Sequence, residues 1–159
     1  MPTSATPKRR PRRAPELVLT VQYGVVSARL PSRSALARWA RAALARDAAV
    51  TLRIMGAREA RALNRRYRDR DYATNVLTFV MRDSRPYEGD LVLCAPVIAR
   101  EARQQGIRLA AHYAHLVVHG VLHLQGYDHQ DEADARIMET RESRIVTELG
   151  YPDPYGSDE

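Results

Sequence analysis

The run Leu109–Leu124 constrains this chain more than any other. Leu109, Tyr113, Leu116, Val117, Val121 and Leu124, with the alanines and valines between them, make it apolar nearly all round a helical wheel. A helix of that kind has no face to give to water, so the remainder of the chain must enclose it. The same run carries His112, His115, His119 and His123, four of the chain's five histidines. At 3.6 residues per turn they fall within roughly 80° of one another. His119 and His123, four residues apart, can point their rings at a common ion. Gly126 comes just past the expected helix end, where a left-handed residue costs glycine little and the chain can reverse. The reversal brings His129 within reach as a third ligand. Three neutral nitrogens leave a tetrahedral zinc one open position, the pattern of a catalytic site, and the expectation is one zinc per chain on His119, His123 and His129. A lone histidine in an apolar helix is more commonly a packed residue with satisfied nitrogens. His112 and His115 are read that way, or as supports for the ligands, because only the 119/123/129 set has a turn that closes a site.

The spacing His-x3-His-x2-Gly-x2-His is also that of the metzincin metalloproteases, which makes a zinc metallopeptidase one alternative. Those enzymes place a glutamate directly after the first histidine as general base. This chain has Gly120 there, which has no side chain to move a proton. The absence argues against proteolysis.

A length of 159 residues suits one domain with a core of its own. Cys94 is the single cysteine, so no internal disulfide framework is possible, and a reducing, cytoplasmic setting is expected. No apolar run approaches the roughly 18 residues of a membrane span. The formal net charge of +6 is unevenly spread. Residues 1–13 carry five positive charges and no acid; residues 29–108 carry 17 arginines against 8 acids; residues 128–159 carry 3 arginines against 10 acids. The asymmetry suggests an anionic partner for the middle of the chain. Because 24 of the 25 basic residues are arginine, a compositional bias explains the same numbers about as well.

Taken in order, residues 1–15 are rich in proline and arginine and are expected to be a disordered basic tail, with residues 16–159 a single domain. Leu17–Tyr23 reads as a strand. A helix follows, capped by Ser32 or Ser34, with Leu36, Trp39, Ala40, Ala43 and Leu44 inward. Ala49–Met55 is a second strand, and Ala57 to about Arg66 a second helix with Ala60 and Leu63 inward. Asn75–Met81 and Asp90–Cys94 are the third and fourth strands, joined by a turn-rich link over Asp83–Gly89. Pro96 opens a helix to about Gln105, which Gly106 ends. The histidine helix comes next. Asp131 with Asp134 then caps a last helix whose Ile137, Ile145, Val146 and Leu149 face inward, stopped by Gly150 and Pro152. Strands come early and the longest helices late. The expectation is an α+β domain: a small mixed four-stranded sheet packed with about five helices, the zinc site on a buried helix and its following turn.

A second informative stretch, Leu63 to Phe79, leaves a helix through charged residues and re-enters a strand at Asn75. Its arginines could present guanidinium forks to phosphate. Taken by itself, the stretch is better accounted for by ordinary solvated Arg–Asp pairs.

Together the two stretches resemble the bacterial YbeY endoribonuclease family. The marks are His-Gly-x-Leu-His-Leu-x-Gly-Tyr-Asp-His at 119–129 and Leu-Asn-x-x-Tyr-Arg with Thr-Asn-Val-Leu-Thr-Phe at 63–79. Gly-Asp-Leu-Val at 89–92 and Tyr-Pro-Asp-Pro-Tyr at 151–155 also look like the family. The resemblance runs from about Leu17 to Tyr155. Departures are mild: Arg70 stands where lysine is common, Ala73 where proline is, Thr78 for serine, and Val80 where proline often follows. The resemblance implies zinc on His119, His123 and His129, and a functional arginine at Arg68. It further implies a metal-dependent, single-strand-specific endoribonuclease. The implied role is in rRNA processing, notably 3′ end maturation of 16S rRNA, and in ribosome quality control. Implied partners are single-stranded rRNA and the small ribosomal subunit, with no membrane and no DNA. A non-catalytic ribosome-assembly factor with a structural zinc is the alternative from another class. Asp128 is close enough in sequence to orient a ligand or to cap the turn.

Overall fold

The computed structural model describes residues 14–27, 29–127 and 131–156. Within them four strands and five helices follow one another as β1 (Leu17–Tyr23), α1 (Arg33–Ala42), β2 (Ala48–Met55), α2 (Ala57–Arg68), β3 (Val76–Arg82), β4 (Tyr87–Cys94), α3 (Ala95–Gln105), α4 (Leu109–Leu124) and α5 (Glu132–Glu148). The strands form one mixed sheet in the order β1-β2-β4-β3, with β1, β2 and β4 parallel and β3 antiparallel on β4. This is the expected α+β domain. The basic tail lies outside the described residues up to position 13.

Alternation along the strands sets the two faces. Val50, Leu52 and Ile54 of β2, with Leu91 and Leu93 of β4, point to the side where α1 and α4 pack, and all are essentially inaccessible. Each such Leu or Ile contributes about 1.5–3 kcal/mol on burial, so this layer outweighs local helix propensity in holding α4. The opposite face packs Met55, Leu77, Val92 and Cys94 against Ala60 of α2 and Val97 of α3. α4 buries eleven of its sixteen residues, as its nearly uniform apolar surface requires.

Two details seat α4. A Cβ at Gly120 would overlap the Leu91 side chain, so glycine is what lets the helix lie this close to β4. Gln125, at the α4 C-cap and 4% exposed, satisfies its whole amide. Its oxygen accepts from the N–H groups of Ala45 (2.8 Å) and Arg46 (3.1 Å), and its nitrogen donates to the carbonyls of Ala43 (2.9 Å) and Val121 (3.0 Å). The ends of α1 and α4 are thereby tied together without an orphaned backbone group. Gly120→Ala should lower stability by about 1–3 kcal/mol through overpacking against Leu91, measured by urea denaturation. An unchanged midpoint would show that Leu91 yields freely.

Several boundaries differ from expectation. β4 begins at Tyr87, not Asp90, because Tyr87, Glu88 and Gly89 pair in register with Ala48, Ala49 and Val50 of β2. The ladder overrides the turn-like composition of that link. α2 runs on to Arg68, where Asp69 ends it in the left-handed conformation (φ 55°), one an aspartate adopts more readily than most residues. On α5, Ile137 is 54% exposed; Met138 takes its place in the core, followed one turn later by Glu142. Ser32 caps α1 and Asp131 caps α5, as read, through Ala35 N–H (3.1 Å) and Asp134 N–H (2.8 Å).

Candidate metal centre

α4 turns its histidine face toward α5, and the residue that meets it there is an acid. The side chain of Glu142 is 0% exposed. Its Oε1 accepts from His119 Nδ1 at 2.5 Å and its Oε2 from His115 Nε2 at 2.9 Å. Tyr155 donates its hydroxyl to the same Oε2. Burial alone would push the Glu142 carboxyl up. The hydrogen bonds from His115, His119 and Tyr155 override burial and hold it down at about 2. Burial and the adjacent carboxylate push the Tyr155 phenol well above its ordinary range, so it stays a donor.

The C-terminal segment is folded onto this cluster. Asp153 accepts from Ser143 Oγ on α5 (2.7 Å) and from the Tyr155 N–H (2.9 Å). That turn delivers the Tyr155 ring edge-on to His115, centroids 5.5 Å apart. The ending Tyr151–Tyr155 is therefore part of the site's wall.

Further along α4, His123 donates from Nδ1 to the Tyr127 carbonyl at 3.1 Å, across the turn that Gly126 makes at φ 97°. A carbonyl only accepts, and an ionised carboxylate only accepts. Both His119 and His123 therefore carry a proton on Nδ1, as a histidine that ligates a metal through Nε2 does. A buried, ionised carboxylate behind an imidazole is likewise the usual outer support of a histidine metal ligand. Held this way, His119 and His123 are suited to be two ligands of a zinc. His129 and Asp128 lie outside the described residues.

His112 is packed, at 5% exposed, but only one of its ring nitrogens has a hydrogen-bond partner among the described residues. Its Nε2 shares a hydrogen bond with Glu101 Oε1 (3.0 Å), and Glu101 also accepts from Asn75 Nδ2 (3.0 Å), which links α4 to α3 and the start of β3. His115 stands behind His119 on a common carboxylate. Glu142 itself escaped the reading of the sequence. The available signal was an acid at the fourth residue after Met138 and the third before Ile145, on the stripe where an apolar side chain belongs.

Arg68 lies on the last turn of α2. Its Nη2 donates to the Thr78 carbonyl of β3 at 2.7 Å, and its guanidinium lies 5.6 Å from the centre of the Phe79 ring. α4 packs against the same strand. Arg68 is thus oriented by an edge strand and uses one of its five N–H donors to stay there.

These features define an α+β protein whose polar interior is organised by histidine–carboxylate pairs on one buried helix. The family model described as Endoribonuclease YbeY matches residues 31–150. Among relatives of that name, the protein from Nitrosomonas europaea is 53% identical over 98% of this chain and 94% of its own length. That from Thiobacillus denitrificans is 57% identical over 91% of this chain and 99% of its own. The solution structure of TM1509 from Thermotoga maritima superposes with a TM-score of 0.59 at 23% identity, covering 88% of this chain and all of that one, and shares the fold. The chain belongs to the Endoribonuclease YbeY family.

Proposed function

We propose that this protein is a zinc-dependent endoribonuclease that cuts single-stranded RNA during rRNA processing. The target is the 3′ end of 16S rRNA in the cytoplasm, reached on the small ribosomal subunit, with a further part in ribosome quality control. The observation that carries the reading is the family match over 31–150, a span that includes Arg68, His119, His123 and His129. No helix among the described residues is long and apolar enough to cross a membrane.

The zinc would be held by Nε2 of His119 and His123 together with His129, and would supply Lewis acidity at a phosphodiester. The chain's own residues supply the rest. Glu142 and the Tyr127 carbonyl keep the two imidazoles in the binding tautomer and stop them swinging. Arg68 offers a planar cation, already oriented by Thr78, to charge that builds on phosphoryl oxygens. Packing as well as chemistry disfavours the peptidase alternative: any side chain at position 120 would crowd Leu91.

Metal analysis and RNA cleavage on the same preparations test this. Wild-type protein should contain about one zinc and cut single-stranded RNA. His119→Ala, His123→Ala and His129→Ala should each lose most of the metal and the activity, while His112→Ala and His115→Ala keep the metal. Stoichiometric zinc in His119→Ala or His129→Ala would remove that residue from the ligand set. Metal-replete wild-type protein that leaves RNA intact would overturn the enzymatic reading.

A further inference from the structure

The outward face of the sheet changes character halfway along. Under α2 it is apolar, but beyond the helix the same face carries Gln22, Thr51, Arg53 and Asp90, alternating with inward Val50, Leu52 and Leu91. The register lines these up: Phe79, Asp90 and Thr51 form one row across β3, β4 and β2, and Gln22 lies beside Arg53. Where the apolar and polar halves meet there is a cavity of about 420 Å³, with Tyr67 and Phe79 on its wall and Gln22, Thr51 and Asp90 on its floor. That volume is within the range of small-ligand sites, roughly 300–1,000 Å³.

The aromatic wall is exposed and flanked by cations. Tyr67 is 56% exposed and meets Phe79 edge-on, centroids 5.5 Å apart. The Arg66 guanidinium lies 5.4 Å from the Tyr67 ring centre and that of Arg68 5.6 Å from the Phe79 ring centre. Arg58 and Arg65 extend the positive surface along α2, where Arg61 is committed to Asp71 through two bonds of 2.8 and 3.0 Å. On the floor side, Arg53 is neutralised by Glu59 through bonds of 2.8 and 3.1 Å.

We propose that this cavity receives one unstacked nucleobase of single-stranded RNA, stacked on Tyr67 with Phe79 at its border, and hydrogen-bonded at its edge by Gln22, Thr51 and Asp90. The inference rests on the endoribonuclease reading and adds to it where the substrate strand lies. A nucleobase has the combination the cavity asks for, a flat π face and an edge of mixed donors and acceptors, while its phosphates suit the arginines outside. A purely apolar ligand would leave the floor's polar groups unpaired. A free anion would face Asp90 and the Glu59-paired Arg53. A base held in a duplex cannot enter, so the cavity also gives a physical reason for choosing single strands.

The test is a single-turnover cleavage series on one short single-stranded RNA, in which an abasic nucleotide is moved one position at a time. With wild-type protein, one abasic position should raise the half-saturating enzyme concentration on the order of 10-fold, the size of one lost stacking contact. The rate at saturation should change much less. Tyr67→Ala should raise the half-saturating concentration for intact RNA by a similar factor and abolish the penalty for the abasic position, and Tyr67→Phe should restore both. Because Tyr67 is exposed, Tyr67→Ala should fold normally, checked by its thermal midpoint. Cleavage by wild-type protein with no abasic position distinguished overturns the cavity assignment and leaves the enzyme standing. So does a penalty that Tyr67→Ala leaves in place. Wild-type protein that neither binds nor cuts RNA overturns both.

Discussion

Arg68→Ala should retain zinc and fold normally, yet cleave single-stranded RNA on the order of 10²-fold more slowly under saturating enzyme, the usual loss when one preorganised donor is removed from developing charge. The side chain is exposed and its fixed contacts are the Thr78 carbonyl and the Phe79 ring, so little stability depends on it. Those two contacts are what make it preorganised: the guanidinium does not have to be collected from solvent when charge builds. Arg68→Lys should recover little. An ammonium cannot hold Thr78 and still present a planar fork to phosphate. A single-turnover rate in Arg68→Ala equal to wild type would reduce the residue to a phosphate tether.

The second large effect is expected at Glu142. Glu142→Ala removes the common acceptor of His115, His119 and Tyr155 and leaves three donors around an empty, water-poor space. Stability should fall by about 3–5 kcal/mol, the usual cost of removing one partner from a buried charged network, read from urea denaturation. Zinc affinity should fall roughly 10- to 100-fold in chelator competition, as when the outer support of a metal-bound imidazole is lost. Glu142→Gln keeps the shape but brings an N–H toward donors, so it should fold better than Glu142→Ala and still bind zinc more weakly than wild type. Tyr155→Phe removes one of the three donors and should sit between Glu142→Gln and wild type in affinity. Wild-type zinc affinity in a folded Glu142→Gln protein would mean that His119 finds its tautomer unaided.

The histidine helix was legible in the chain by itself because its information is local. A sixteen-residue apolar run, a glycine that can take φ 97°, and histidines four apart all act over a turn or two of backbone. The caps at Ser32 and Asp131 and the ends at Gly106 and Gly150 were legible for the same reason. Elements decided by pairing or packing partners were not. β4 starts at Tyr87 because β2 lies beside it, and nothing within Asp83–Gly89 states that. Ile137 faces water and Met138 the core because α5 is rotated to bring Glu142 under α4, a choice that spacing along α5 leaves open. The role of Tyr151–Tyr155 depends on a turn that folds back thirteen residues to Glu142. Gly120 could be seen to lack a base; only the packing shows that a side chain there would crowd Leu91. Sequence alone thus determined the spacing of the proposed ligands on α4, since that spacing is a property of one helix. Tertiary structure decided which groups grip His115 and His119, since those are brought from α5 and the C-terminal turn.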